Sequence, residues 1–378
     1  MANTYIISPT WQSDLTEAVY GSLPTADNSS IDTALNSWAS FSRLLNMSAT
    51  SNTTFSTTIV STYSLIYTTS TGAYVGAVLD PNGDIHFVPT FANRGQKVSI
   101  STGVVSTYSL VYTTSNAYQG GILDPNGDIH FVPFSANRGQ KVSAAGVVST
   151  YSLVYTTSTA YAGGVLAPNG DIHFVPNAAV RGQKVSAAGV VSTYSLVYTA
   201  GAYVGGVLAP NGDIHFVPST APVGQKISSA GVVSTYSLVY TTSTGAHSGG
   251  VLAPNGDIHF VPRTGNRGQK ISTAGVVSTY SLVYTTSTGA SAGGVLAPNG
   301  DIHFVPNGIV GQKISSSGVV STYSLVYTTS NAHVGGILAP NGEIHFVPYV
   351  GTTGQKILPT WGEPFQIGVV CSPFLNKY

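Results

Sequence analysis

Seven of the nine histidines in this chain occupy one position of a single repeated phrase, Pro-Asn-Gly-Asp-Ile-His-Phe-Val-Pro. They are His86, His130, His173, His215, His259, His303 and His345. Each lies two residues after an acid: Asp84, Asp128, Asp171, Asp213, Asp257, Asp301 and Glu343. A Gly-Gln-Lys tripeptide follows every copy and supplies Lys97, Lys141, Lys184, Lys226, Lys270, Lys313 and Lys356. Imidazole, carboxylate and ammonium are the ingredients of proton transfer and of metal binding. On a strand, Asp84, His86 and Val88 share one side while Ile85 and Phe87 take the other. The next strand, folding back, sets Lys97 opposite His86. The reading is a structural polar network between neighbouring repeats. One histidine per repeat, with ligands diverging around a ring, builds no metal site, and neither metal nor cofactor is expected.

The positions that vary among the copies point to binding better than those that do not. The site that leads into the glycine pair reads Tyr74, Tyr118, Tyr161, Tyr203, His247, Ser291 and His333. Its amphipathic rings are the candidate ligand-binding residues, expected at one mouth of a central channel. A second variable patch follows Phe-Val-Pro, at Thr90 to Asn93, Phe134 to Asn137 and Tyr349 to Thr353. The Pro-Asn-Gly tripeptide reads as a hairpin turn rather than an anion nest. Tyr108 and Tyr112 read as space-fillers between outer strands rather than a sugar-stacking surface.

The elements that must position these residues are strands. Apolar and β-branched residues alternate with polar ones, and glycine or proline interrupts about every ten residues. Copies start at Pro81, Pro125, Pro168, Pro210, Pro254, Pro298 and Pro340, 42 to 44 residues apart. In one copy the strands read as Val104 to Thr113, Gly120 to Leu123, Asp128 to Val132 and Gln140 to Ser143. Helical repeats are excluded, because Pro-Asn-Gly and the β-branched runs would break each helix. Four short strands in about 43 residues, seven times over, fit the blade of a propeller. Gly120-Gly121 and its counterparts would lie innermost, where blades converge. The chain resembles a seven-bladed β-propeller, with strand grammar similar to NHL and kelch-type short blades. Propellers serve unrelated functions, so the resemblance implies a fold and no activity.

The fold class read from the sequence is all-β, a seven-bladed β-propeller with a small helical N-terminal extension. Residues 58–357 form the propeller, 1–57 a partly helical docking segment, and 358–378 a closing or packing segment. In the first segment Ile31, Leu35, Trp38, Phe41 and Leu45 share one face at helical spacing, with Ser29 or Ser30 as N-cap. Outer-strand sequences occur at both Ile59 to Tyr67 and Ile367 to Phe374, so either could complete the last blade. The first is favoured.

Composition bounds the function. Formal charge is zero, with 14 basic and 14 acidic side chains, and charged residues make up 7% of the chain. Nucleic acid needs a basic surface and is not an expected partner. No apolar run is long enough to cross a bilayer. One cysteine, Cys371, forms no intrachain disulfide. Met1 to Thr10 lacks a signal-peptide pattern, which suggests synthesis in a cytoplasm without classical secretion. Near-sevenfold sameness argues against catalysis, which needs unlike groups to converge. The chain therefore reads as a non-catalytic display propeller of a virion, phage-like, found on the particle or outside cells after lysis. It would meet other particle proteins through its N-terminal segment, with homo-oligomers in view. The alternative is a multivalent lectin-like propeller binding cell-surface glycan.

Overall fold

The computed structural model describes residues 59–358, apart from 68–71, 201, 242–244, 286–288, 329 and 350–352. Among the described residues there is no helix, and twenty-eight strands form seven four-stranded antiparallel sheets. Blade 1 runs from β2 (Tyr74–Leu79) through β3 (Asp84–Pro89) and β4 (Arg94–Ser99) to β5 (Val105–Ser109). Blade 2 repeats this with β6 (Tyr118–Leu123), β7 (Ile129–Pro133), β8 (Arg138–Val142) and β9 (Val148–Ser152). Blades 3 to 6 follow in order. Blade 7 takes its inner three strands from residues 333–358 and its outer strand from β1 (Ile59–Ser64), which pairs with Thr353–Leu358. The N-terminal outer-strand sequence thus closes the ring. The docking residues Ile31, Leu35, Trp38, Phe41 and Leu45 and the segment Ile367 to Phe374 lie outside the described residues.

The core sits between blades. Val78 and Val88 of blade 1 pack on Tyr118, Ile129 and Phe131 of blade 2, and Val347 of blade 7 packs with Ile85 and Phe87 of blade 1. Each of these apolar side chains contributes about 1.5–3 kcal/mol by leaving water, and the contact of blade 7 with blade 1 completes the ring. Every hairpin between the first two strands turns on Pro-Asn-Gly, with Gly83 at φ 86° in blade 1 and its N–H donating to the Asp80 carbonyl at 3.1 Å. Inner strands meet through glycine: a Cβ on Gly120, itself at φ +82°, would stand 2.9 Å from Gly163 Cα of the next blade. Only a residue without a side chain fits there.

A buried glutamine locks consecutive blades together. Gln140 Oε1 of blade 2 accepts from the N–H groups of Val111 and Tyr112, in the connection from blade 1, at 3.0 and 2.8 Å. Gln96, Gln183, Gln225, Gln269, Gln312 and Gln355 make the same pair of bonds. They satisfy backbone donors that no strand pairs.

Candidate functional site

The repeat histidine stands at the second strand of each blade, in register with the repeat lysine: His86 pairs Lys97 and His130 pairs Lys141. Lys97 Nζ donates to Asp84 Oδ2 at 2.6 Å, and the same bond recurs in every blade at 2.6 to 2.9 Å. The histidine turns to the outer strand. Its Nδ1 lies 3.2 Å from Tyr108 Oη in blade 1 and 3.2 Å from Tyr151 Oη in blade 2. This reach depends on a glycine, because Tyr108 lies flat across Gly95, its cross-strand neighbour, where a Cβ would come 2.0 Å from the ring.

These contacts correct the expected network between blades. In blade 1, Asp84, His86 and Lys97 bond within their own sheet, with Tyr108 as the missing fourth member. The same holds for Asp128, His130 and Lys141, for Asp171, His173 and Lys184, and for Asp213, His215 and Lys226. It also holds for Asp257, His259 and Lys270, and for Asp301, His303 and Lys313. In blade 7, Glu343 bonds both His345 and Lys356. Sequence reasoning gave the tyrosine no polar role. The paired signal was present, since each Gly-Gln-Lys faces a Ser-Thr-Tyr-Ser.

The candidate ligand residues are also placed differently. Tyr74, Tyr118, Tyr161, Tyr203, His247 and His333 are buried inside their sheets at 0 to 1% exposure, not at a channel mouth. Tyr74 donates its hydroxyl to the Arg94 carbonyl and packs on Phe87, while His247 and His333 pack on Phe260 and Phe346. The register shift between Tyr74 and Ala77 turns the side chain outward and leaves Gly76 and Ala77 on the axis, where the other blades have a glycine pair. The channel itself, about 220 Å³, is lined by those glycines and Ala77. Its lining offers no reactive side chain.

Asymmetry appears at the other nitrogen of the histidine. In blades 1 and 2 the hairpin begins with Asp80 and Asp124, whose Oδ2 atoms lie 3.3 and 3.4 Å from His86 Nε2 and His130 Nε2. Blades 3 to 7 have Ala167, Ala209, Ala253, Ala297 and Ala339 there. In blade 7 Glu343 reaches His345 Nε2 instead, at 3.4 Å. Three contiguous blades, 7, 1 and 2, therefore carry a histidine–carboxylate pair. Burial acts to raise the Asp124 carboxyl, but bonds from His130 and the amides of Asp128 and Asn126 outweigh it and hold the group below the usual range. Asp80 is lowered in the same way, against burial, by His86, Asp84 and Asn82. An ionised Asp124 only accepts hydrogen bonds, so the His130 Nε2–H donates to it, while Nδ1 lies against Tyr151 Oη. Where the carboxylate is absent, burial, aided by the lysine charge, lowers His173, His215, His259 and His303 to about 4.

The blade 2 pair faces a cleft of about 200 Å³. Asp124, Asn126, His130 and Lys141 line one wall, and Gly170, Ile172, Val185 and residues 186–189 of blade 3 line the other. Lys141 is 35% exposed and Asp124 12%. Donor atoms of Asp124, Asp128 and His130 lie within 4.8 Å of one another, a spacing a metal ion could use. Lys141 Nζ, 2.6 Å from Asp128 Oδ2, already holds a positive charge there.

No family model matches the chain, and no curated protein matches it in sequence. Solved structures do match. A streptogramin B lyase aligns with TM-score 0.70 and 22% identity over 81% of this chain and 99% of its own. A catalytically inactive histidine-to-alanine variant of virginiamycin B lyase from Staphylococcus aureus, solved with quinupristin, aligns with TM-score 0.69 and 18% identity, over 80% and 99%. The extracellular domain of a hybrid two-component system from B. thetaiotaomicron aligns with TM-score 0.61 and 11% identity, over 81% and 44%. At these identities the likeness establishes the seven-bladed propeller fold. It also corrects the expectation of a non-catalytic virion propeller, display or lectin, and of no enzymatic role. Lyases are built on this fold at full length, so repetition does not exclude catalysis. The premise of sameness also fails in this chain, at Asp80 and Asp124.

Proposed function

We propose that this propeller is an enzyme of the acid–base, lyase type, with its reacting groups in the cleft between blades 2 and 3. The observation that carries the reading is the chain Tyr151–His130–Asp124, opening beside Lys141 onto a cavity of about 200 Å³. Asp124 is the base. Two backbone amides, from Asn126 and Asp128, hold its Oδ1 at 2.8 and 2.9 Å, and His130 fixes Oδ2. Covering the cleft with substrate removes further water, which moves the carboxyl upward toward a useful basicity. Lys141 supplies positive charge where negative charge develops on the substrate and can return a proton to the leaving group. Elimination without water needs these two roles. Blade 1 holds the same dyad in Asp80 and His86.

Support from the neighbours is of class. Two of the neighbours are named as lyases, and one of these two is a catalytically inactive variant in which alanine replaces a histidine. The test is incubation with virginiamycin B or quinupristin, followed by chromatography and mass spectrometry. The expected result is consumption of substrate with no water added to the summed product mass, lowered at least about 100-fold by Asp124→Ala. No consumption at equimolar enzyme, or equal turnover by Asp124→Ala, would sink the reading.

A further inference from the structure

The two ends of the strands carry different charges. All nine propeller acids lie at the hairpin end or next to it, and the seven repeat lysines pair with seven of them. Five arginines, Arg94, Arg138, Arg181, Arg263 and Arg267, lie at the opposite end, each exposed. Among the described residues none of the five has an ion-pair partner. The ends are one strand length apart, about 17–20 Å, which exceeds the screening length at physiological salt. The acids therefore do not neutralise the arginines.

Three of the arginines occupy equivalent positions on contiguous blades: Arg94, Arg138 and Arg181 open the third strand of blades 1, 2 and 3. Each pairs in register with the last residue of the outer strand, Ser109, Ser152 or Ser195. Two residues further along the chain stand Val111, Val154 and Val197, 61 to 62% exposed. Phe91 and Val180, in the loops just before Arg94 and Arg181, are exposed as well. The arc thus alternates guanidinium with apolar surface, and the blade 4 equivalent of the arginines is Val223.

We infer that this arc of blades 1 to 3 is a docking surface for an acidic, apolar-interspersed polypeptide segment of a partner protein. Charge complementarity selects an anionic partner, because a carboxylate forms a bidentate pair with each fork. The composition selects protein over nucleic acid. Arginine with exposed apolar side chains, and no lysine, is the make-up of protein interfaces, whereas phosphate backbones are usually held by more cations than three. The surface is remote from the proposed acid–base cleft and does not depend on it.

The test uses the full chain and a fluorescein-labelled peptide of alternating Glu and Leu, read by anisotropy at low and at physiological salt. Saturable, salt-weakened binding is expected. It should fall at least tenfold in the triple variant Arg94→Gln, Arg138→Gln, Arg181→Gln, and several-fold in Val111→Ser, Val154→Ser, Val197→Ser. All six side chains are exposed, so both variants keep the wild-type circular dichroism and melting temperature. Equal affinity of the arginine variant overturns the inference. So does tighter binding of single-stranded DNA of matched charge, which would make the arc a general polyanion surface, and so does the absence of saturable binding.

Discussion

Acidification is the perturbation that reads the buried histidines most directly. His173, His215, His259 and His303 are each held at about 4 against an ordinary 6.5, by burial first and by the neighbouring lysine second. His247 and His333 are lowered to about 4 by burial, although a proline carbonyl bonded to each ring acts the other way. A folded-state pKa below the unfolded one means that the unfolded chain binds more protons between about pH 4 and 6.5. The stability these six groups allow is therefore complete above that window and is lost as pH falls through it. Near pH 5 the difference amounts to about five protons, a slope of about 7 kcal/mol per pH unit. Net stabilities of about 5–15 kcal/mol do not survive one unit of such a slope for long. Acid unfolding is thus expected at about pH 5, before the carboxylates are reached. Those act lower: Glu343, held at about 2 by His345 and Lys356 against burial, adds stability present above 4.5 and lost as pH falls below it. Urea unfolding followed by far-UV circular dichroism at about pH 7.5, 6.5 and 5.5 measures the slope. Proton uptake on unfolding in weak buffer counts the groups, and His303→Gln should lower that count by about one. An unchanged urea midpoint from about pH 7.5 to 5.5 would refute the reasoning.

Two packing devices give further expectations. Gly182→Ala places a Cβ 2.0 Å from the Tyr194 ring, so the ring must leave its strand. A loss of about 1–3 kcal/mol is expected from the overpacking, read as a lowered melting temperature that Gly189→Ala, with open space but φ +79°, reproduces only in part. Gln183→Leu leaves the N–H groups of Val154 and Tyr155 without their acceptor. About 1–3 kcal/mol per orphaned group is expected, together with faster hydrogen exchange at those two amides; protection equal to wild type would show that the glutamine does not join the blades.

Much of this architecture was legible because repetition multiplies a weak signal. One Pro-Asn-Gly is a turn, and seven at a fixed interval are a propeller. The pairing of His86 with Lys97 also followed from strand periodicity, since a two-residue period and a tight turn leave few registers. The Tyr108 bond to His86 did not follow, because it runs diagonally across two strands and depends on the space above Gly95. The burial of Tyr74 was hidden by a local bulge, which reverses the side that an alternating pattern assigns. Gln140 went unread because its partners lie in the preceding connection, 28 and 29 residues away. Asp80 and Asp124 were visible as the propeller acids outside the repeated position. The variable positions singled out were the entry to the glycine pair and the loop after Phe-Val-Pro, so the Asp/Ala alternation at the hairpin start was passed over.

The more general point concerns what a symmetric scaffold permits. Seven copies of a carboxylate–lysine pair, six with Asp and one with Glu343, and of a buried histidine supply a packed ring that does not need any one blade to be special. A single change of Ala to Asp at a hairpin start then joins a carboxylate to an imidazole already oriented by Tyr151, with its ammonium neighbour Lys141 in place. The added carboxylate also accepts from the Asp128 amide, whose blade 3 counterpart, that of Asp171, is served by Asn169, and from the Asn126 amide as well, so the hairpin keeps its geometry. The cost of the change is small because the surroundings are built by the repeat. Blades 1 and 2 also carry two of the three arginines of the opposite arc. Blades 1 and 2 thus depart from the commonest repeat at both ends of their strands, with an added carboxylate at the hairpin and an arginine at the other end.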